Sequence, residues 1–146
     1  TKELISLCSA SDPGVREEVS RLFEDVSKLV VEYDYSEEFV KNLKANGYKV
    51  YLLSNFGSNF ETLKETFRFY PYVDGGVISY EVKQIKPDRE IYESLIQKYN
   101  IVPGEAVFLD DRKDNLQSAK ELGFHTILVG EFEAALKDLR SLGVKI

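Results

Sequence analysis

Two adjacent carboxylates, Asp110 and Asp111, follow the short apolar stretch 107–109. Like charges at this spacing repel each other unless a positive group lies beside them. A hard cation such as Mg²⁺ supplies that charge, because it prefers oxygen ligands. The pair therefore predicts a metal site in which Asp111 and Asp110 are the ligands. A plainer role stays open, in which the same residues cap the helix that follows.

A hydroxyl and an amide, Ser54 and Asn55, close another apolar run at residues 48–53. Together with the backbone N–H groups at the start of a following helix, these side chains can hold a phosphate. The alternative is a simple helix cap and turn. The residue types predict a phosphate site without excluding that alternative.

Lys86 stands directly before Pro87. The proline disfavours helix at Lys86 and favours a helix start after it. A cation at the positive end of a helix dipole is disfavoured. The position of Lys86 is therefore explained if a phosphate and carboxylates lie within its reach. We interpret the neighbouring Lys83 as a solvated surface residue.

Apolar runs of strand length alternate with stretches of helical periodicity along the chain. This alternation predicts βαβ units and a parallel sheet covered by helices on both faces, which is a Rossmann-like three-layer α/β/α sandwich. Ligands bind beyond the carboxyl ends of such strands, where all three segments above lie. The expected strands are 48–53, 75–79, 106–109 and 125–129, and the expected helices are 2–10, 13–31, 36–47, 58–67, 88–99, 115–122 and 131–142.

The chain has 146 residues, a formal net charge of −6 and one cysteine, Cys8. Acidic proteins do not favour nucleic acid, whose phosphates require a basic face. The apolar runs are far shorter than the roughly 20 residues of a membrane span. We therefore expect neither a nucleic-acid partner nor a membrane. A single cysteine excludes an internal disulfide and fits the reducing cytoplasm, where we expect the protein to reside.

The order and spacing of four segments resemble the haloacid dehalogenase (HAD) superfamily. Within it, they are most similar to the branch of small sugar-phosphate phosphatases and of the phosphatase domain of soluble epoxide hydrolases. The resemblance covers roughly residues 30 to 130, and its order along the chain is highly specific. The segments are 52–55 (LLSN), 86–92 (KPDREIY), 108–115 (FLDDRKDN) and 119–126 (AKELGFHT).

The resemblance implies a covalent mechanism. An aspartate on the first strand of the family attacks phosphorus and forms an aspartyl-phosphate, and a second aspartate two residues on acts as general acid and base. By position, Ser54 binds the transferred phosphoryl group, with Asn55 close by. Lys86 is the catalytic lysine that neutralises charge between the nucleophile and the phosphate.

The metal roles also follow from the resemblance. Mg²⁺ bridges the nucleophile and the phosphate in this family. Asp111 is implied as its direct ligand, with Asp110 in or next to the ligand shell. Asn115 is implied as the residue that orients this loop.

The chain departs from the family at its first motif, an Asp-x-Asp after an apolar strand. This motif should lie well upstream of Ser54, and residues 1–146 contain nothing like it. Glu32 and Asp34 follow a helical stretch and are poor substitutes. We therefore expect the nucleophile and the first strand to precede Thr1, residues 1–32 to be the remnant of a helical cap, and residues 33–146 to form the HAD-like core.

The resemblance places the absent first strand in the middle of the sheet, between the strands at 48–53 and 106–109. Without it, these two strands would present unpaired backbone groups and apolar faces. We expect this place to be filled by another part of the same protein, by a cleaved companion fragment, or by a rearrangement.

The leading hypothesis is that the intact parent is a Mg²⁺-dependent phosphatase of a small phosphorylated metabolite, and that these 146 residues alone are inactive. One alternative is a catalytically inactive HAD-like regulatory or interaction domain. The other is a haloacid dehalogenase, which the carboxylate pair argues against because dehalogenases of this superfamily bind no metal at that place. An upstream strand followed by Asp-x-Asp would discriminate the enzyme from the inactive domain.

Overall fold

The computed structural model describes residues 30–146, so most of the expected cap remnant at 1–32 lies outside the described residues. Within that range no helix is long and apolar enough to cross a membrane. The elements are α1 (Ser36–Ala45), β1 (Tyr51–Ser54), α2 (Phe60–Leu63), β2 (Gly75–Ile78), α3 (Ser79–Val82), α4 (Arg89–Tyr99), β3 (Val107–Asp110), α5 (Lys113–Glu121), β4 (His125–Leu128) and α6 (Phe132–Ser141), with 3₁₀ turns at Lys64–Thr66, Tyr70–Tyr72 and Pro103–Glu105.

The strands pair in parallel, as the sequence predicts. β1 pairs with β2 so that Ser54 lies opposite Ile78. β3 pairs with β4 so that Asp110 lies opposite Leu128. Over residues 30–146 these form two separate two-stranded sheets, and no ladder joins β1 to β3. The described part of the chain therefore leaves one edge of β1 and one edge of β3 without a partner strand.

Helices cover both faces of the strands, which confirms the three-layer α/β/α architecture. On one face, α4 and α5 contribute buried Ile91, Tyr92 and Ala119. Leu53 of β1 and Phe108 of β3 pack against this cluster. On the other face, α6 and α1 pack on the β3–β4 pair. The residues of that second cluster are Ile127, Ala135 and Leu139, with Phe39, Val107 and Leu109 packed against them.

A buried tyrosine ties the helices of the first face together. Tyr92 is 0% exposed, and its hydroxyl donates a hydrogen bond to the backbone carbonyl of Asn115 at 2.9 Å. A buried hydroxyl without a partner would cost about 1–3 kcal/mol. The bond therefore fixes α5 relative to α4 at the end of the helix that lies nearest to Asp110.

Several element boundaries differ from the sequence-based expectation. Helix α1 begins at Ser36 as expected but ends at Ala45, before residue 47, and Tyr35 at its cap position makes no side-chain cap bond. The first strand begins at Tyr51 because the N–H of Val50 is taken by the carboxylate of Asp74 at 2.8 Å. The expected helix 58–67 is divided into α2 and a 3₁₀ turn. Short α3 was not predicted, since four residues carry no periodic pattern.

The Asp74 carboxylate connects α1 to the strands. It accepts hydrogen bonds from Lys44 at 2.6 and 2.5 Å and from Lys49 at 3.1 Å, in addition to the Val50 N–H. Burial alone would raise the pKa of Asp74, but these donors outweigh it and lower the pKa to about 2. The carboxylate therefore favours folding only while it is ionised.

We expect Asp74→Asn to lower the free energy of unfolding at pH 7 by about 1–2 kcal/mol. Because the folded-state pKa of Asp74 is depressed, its stabilising effect is present above pH about 4 and is lost as the pH falls towards 2. Urea unfolding across this range should show the difference between wild type and variant closing at low pH. Asp138→Asn, on the exposed side of α6, is the matched control. A gap that stays constant with pH would contradict this account.

Candidate active site

The predicted site residues meet at the carboxyl ends of the strands. Ser54 ends β1 and Asp110 ends β3. After β2, the chain passes through α3 and returns Lys86 to the same edge. Its ammonium contacts the Asp110 carboxylate at 2.7 Å, and the two side chains are only 11% and 4% exposed. The fold thus places a nearly buried ion pair where parallel sheets bind ligands.

Asn55 holds the backbone of Lys86 rather than standing free. Its Oδ1 accepts a hydrogen bond from the Lys86 N–H at 2.7 Å, and its Nδ2 donates to the Lys86 carbonyl at 2.8 Å. On the other side, the Ser118 hydroxyl donates to the carbonyl of Pro87 at 2.6 Å. These contacts fix the Lys86–Pro87 segment, whose peptide bond is cis. In this structure Asn55 is a positioning residue for the lysine.

Ser118 is the site residue that sequence reasoning missed. It lies on the amphipathic helix α5, where a partly exposed serine gives no signal of its own. Its role depends on the return of the Lys86 loop to α5, which a sequence pattern does not specify.

The carboxylate of Asp110 is the centre of the hydrogen-bond network. Its Oδ1 accepts from the Arg112 N–H at 2.9 Å and from Asn115 Nδ2 at 2.8 Å, while its Oδ2 accepts from Lys86. Burial would raise the pKa of Asp110, but the hydrogen bonds from Lys86, Arg112 and Asn115 outweigh burial and hold the pKa below its ordinary value. Asp110 is therefore a stable anion that holds the lysine and the turn after β3.

Asn115 supports this network from α5. Its side chain is buried, and its Nδ2 donates a hydrogen bond to Asp110. Its Oδ1 is buried without a hydrogen-bond partner among the described residues. Burial, and next the charge of Asp110, raise the pKa of Tyr92 far above its ordinary range, so its hydroxyl remains a donor to the Asn115 backbone.

The side chains of two further predicted residues, Asp111 and Ser54, contact no partner within residues 30–146. Asp111 is exposed, and within residues 30–146 it has no hydrogen bond or ion pair. The partly buried Ser54 hydroxyl likewise has no partner within the described range. A free carboxylate and a free hydroxyl beside a fixed ammonium can receive a cation and an anion at one edge of the sheet.

The donor set fits Mg²⁺ in chemistry but is incomplete in number. Asp111 offers hard oxygen atoms, and Mg²⁺ is usually held by one or two carboxylates together with water and phosphate oxygens. The buried, unpartnered Oδ1 of Asn115 also marks this loop as a place with unused oxygen acceptors. Over residues 30–146, however, no three acidic, histidine or cysteine side chains gather into a metal cluster. A Mg²⁺ ion held here by Asp111 would need further ligands from water, from phosphate or from residues outside this range.

Comparisons with known proteins identify the family and the fold. Residues 9–123 match the family model of haloacid dehalogenase-like hydrolases. D-ribitol-5-phosphate phosphatase of Bacteroides thetaiotaomicron is 35% identical over 86 residues, covering 54% of this chain and 42% of that protein. Bifunctional epoxide hydrolase 2 of Sus scrofa is 29% identical over 151 residues, covering 94% of this chain and 26% of the hydrolase.

A solved structure shares the fold and was determined with two ligands bound. A HAD family enzyme of Bacteroides thetaiotaomicron, in complex with magnesium and inorganic phosphate, superimposes with a TM-score of 0.62 and 31% identity, covering 70% of this chain and 56% of that chain. The chain spans about half or less of the length of the curated relatives it matches.

Replacing the lysine tests the ion pair. We expect Lys86→Met to lower the free energy of unfolding at pH 7 by about 3 kcal/mol, because it leaves the buried Asp110 carboxylate without its counter-charge. The folded-state pKa of Asp110 is depressed, so wild type holds this advantage above pH about 4 and loses it as the pH falls. Lys83→Met, in the same loop but exposed, is the control and should change stability by less than about 0.5 kcal/mol. Equal effects of the two variants would contradict the assignment.

Proposed function

Because this chain belongs to the haloacid dehalogenase-like hydrolase family, we propose that the intact protein is a Mg²⁺-dependent phosphatase of a small phosphorylated metabolite. The observation that carries the proposal is the nearly buried Lys86–Asp110 pair, with the free Asp111 carboxylate and the Ser54 hydroxyl at the same strand ends. A fixed ammonium beside a free hydroxyl suits a dianionic phosphate.

Each residue has a role in this proposal. Ser54 donates a hydrogen bond to a phosphoryl oxygen, and the Lys86 ammonium neutralises charge that develops there. Asn55 and Ser118 keep the lysine in place, so little reorganisation is needed when charge develops. Asp111 would hold Mg²⁺, with Asp110 behind it in contact with Lys86. The bound metal would supply Lewis-acid stabilisation of the phosphoryl oxygens.

The nucleophile is proposed to lie outside residues 1–146. Within residues 30–146, Asp110 is fully engaged in hydrogen bonds, and the exposed Asp111 directly follows it in the turn after β3. In this proposal Asp110 holds Lys86 and Asp111 holds Mg²⁺, so neither of them is left to attack phosphorus. An aspartate from a separate segment would form the aspartyl-phosphate, and a second one would serve as acid and base.

The relatives support the substrate class. One relative is named as a phosphatase of D-ribitol 5-phosphate, and one structural neighbour was solved with magnesium and inorganic phosphate. The two alternatives, an inactive HAD-like domain and a haloacid dehalogenase, predict different behaviour. An inactive domain would keep the ion pair but bind no phosphate, and a dehalogenase would hydrolyse 2-chloropropionate without metal. The exposed carboxylate of Asp111 favours the phosphatase, because it has no protein partner within residues 30–146.

A phosphatase assay tests the proposal on two proteins. Residues 1–146 alone should not hydrolyse p-nitrophenyl phosphate with Mg²⁺, because the nucleophile is absent. A longer natural protein that carries the upstream strand should be active, and Asp111→Asn should lower its kcat by roughly a hundredfold or more. Asp114→Asn, exposed on the first turn of α5, is the control and should stay within about twofold of wild type.

Two results would overturn the proposal. Robust turnover by residues 1–146 alone would show that the nucleophile lies within them. A longer protein with an upstream Asp-x-Asp motif but no phosphatase activity, or with activity unaffected by Asp111→Asn, would reject the assignment of the site.

A further inference from the structure

The short helix α3 begins with a serine whose side chain binds the loop after β1. The Ser79 hydroxyl accepts a hydrogen bond from the Phe56 N–H at 2.9 Å and donates one to the Phe56 carbonyl at 3.0 Å. A serine at a helix start often caps its own helix, but Ile78 occupies the cap position of α3 and no side-chain bond caps this helix. The hydroxyl of Ser79 is therefore used on the β1 loop and not on its own helix.

The segment from Ser79 to Lys86 is bound to the β1 loop at both of its ends. Ser79 at its start binds the backbone of Phe56, and Lys86 at its end is bound through its backbone by Asn55. Asn55 and Phe56 are adjacent and directly follow Ser54. Two consecutive residues after β1 thus hold both ends of the segment that carries the lysine.

The Phe56 N–H belongs to the peptide unit that joins Phe56 to Asn55. Because a peptide unit is planar and rigid, the bond from this N–H to Ser79 also restrains the Cα atom of Asn55. The bond from Ser79 to the Phe56 carbonyl restrains the next peptide unit. Ser79 therefore fixes the loop from which Asn55 reaches Lys86 and in which Ser54 precedes Asn55.

Contacts elsewhere in the segment do not reach the β1 loop. Its middle is attached to α4 by one hydrogen bond, from the Ser94 hydroxyl to Gln84 Oε1 at 2.7 Å. Lys83 has a left-handed backbone with φ of 58°, and Ile85 is 54% exposed. A helix of one turn has little stability of its own. The contacts at the two ends therefore set the position of the segment relative to the β1 loop.

We propose that Ser79 is a positioning residue for phosphate binding, which holds the Ser54 hydroxyl and the Lys86 ammonium at the spacing that a phosphoryl group requires. Ser79 acts through the Phe56 backbone and does not touch the substrate. Misplacing a binding group by about 1 Å can cost on the order of a hundredfold in rate. The inference rests on the proposed function, because that function assigns Ser54 and Lys86 to the phosphate.

The proposal separates the anion site from the metal site. Ser79 and Phe56 follow the strands of the β1–β2 sheet, whereas Asp111 follows β3 in the other sheet. Loss of the Ser79 hydroxyl should therefore weaken phosphate binding and leave Mg²⁺ binding unchanged. A general loss of structure would weaken both.

Inhibition of the intact protein by inorganic phosphate tests this role. Ser79→Ala should raise the inhibition constant of phosphate about tenfold or more, because Ser54 and Lys86 lose their fixed spacing. The Mg²⁺ concentration for half-maximal activity, measured at saturating substrate, should stay within about twofold of wild type. Ser79→Thr keeps the hydroxyl and should restore phosphate inhibition to within about threefold of wild type.

Ser94→Ala is the matched control for Ser79→Ala. It removes one hydroxyl hydrogen bond from the same segment, at a site that is also partly buried, without touching the β1 loop. Phosphate inhibition of Ser94→Ala should stay within about twofold of wild type. If the two alanine variants weaken phosphate binding equally, the role of Ser79 is rejected.

Amide hydrogen exchange gives a second measurement that does not require activity. In Ser79→Ala the exchange of the Phe56 N–H should accelerate, because its acceptor is removed. The exchange of the Lys86 N–H should accelerate as well, although its own acceptor Asn55 is unchanged. Faster exchange at both amides is the signature of a restraint that passes through the loop.

The outcomes distinguish this proposal from the proposed function. Faster exchange at Phe56 alone, with unchanged phosphate inhibition, would show a purely local bond and overturn the role of Ser79. Equal losses of phosphate and Mg²⁺ binding would overturn it too. An intact protein without phosphatase activity, in which Ser79→Ala still accelerates exchange at both amides, would support the coupling by Ser79 and reject only the proposed function.

Discussion

The structure depends on one nearly buried charge pair, Lys86 with Asp110. It joins a loop that follows the β1–β2 sheet to the end of the β3–β4 sheet, across strands that share no backbone ladder among the described residues. Buried ion pairs are often neutral for stability overall, but removing one partner is costly because the other charge remains buried. The pair therefore constrains the positions of the β1–β2 and β3–β4 sheets relative to each other more than it stabilises the fold.

The surrounding contacts explain why the pair is so well defined. Asn55 holds the Lys86 backbone and Ser118 holds the carbonyl of the next residue, Pro87, while Arg112 and Asn115 hold the carboxylate. Every one of these partners lies just beyond a strand or on the first two turns of a helix. A few hydrogen bonds at the strand ends thus connect residues from the two small parallel sheets in one site. The same arrangement leaves Asp111 and Ser54 free for ligands.

The sequence predicted the architecture well and the element boundaries less well, and it named residues that the fold places at the strand ends. Ser54, Lys86 and Asp110 could be identified because strand ends in parallel sheets gather polar residues, and the order of the motifs was specific. The role of Asn55 could not be predicted, since an amide suits a phosphate and a backbone clamp equally. Ser118 gave no signal because its partner, the Pro87 carbonyl, is brought to it only by tertiary structure. The late start of β1, at Tyr51 instead of residue 48, depends on the distant Asp74 carboxylate in the same way.

A crystal structure of the intact protein, with magnesium and tungstate as a phosphate mimic, tests the central claim most directly. The account predicts an added parallel strand between β1 and β3, with its terminal carboxylate near the anion. It also predicts hydrogen bonds from the Ser54 hydroxyl and the Lys86 ammonium to tungstate, and Asp111 on the metal. Direct pairing of β1 with β3, or an anion bound away from Lys86, would contradict it.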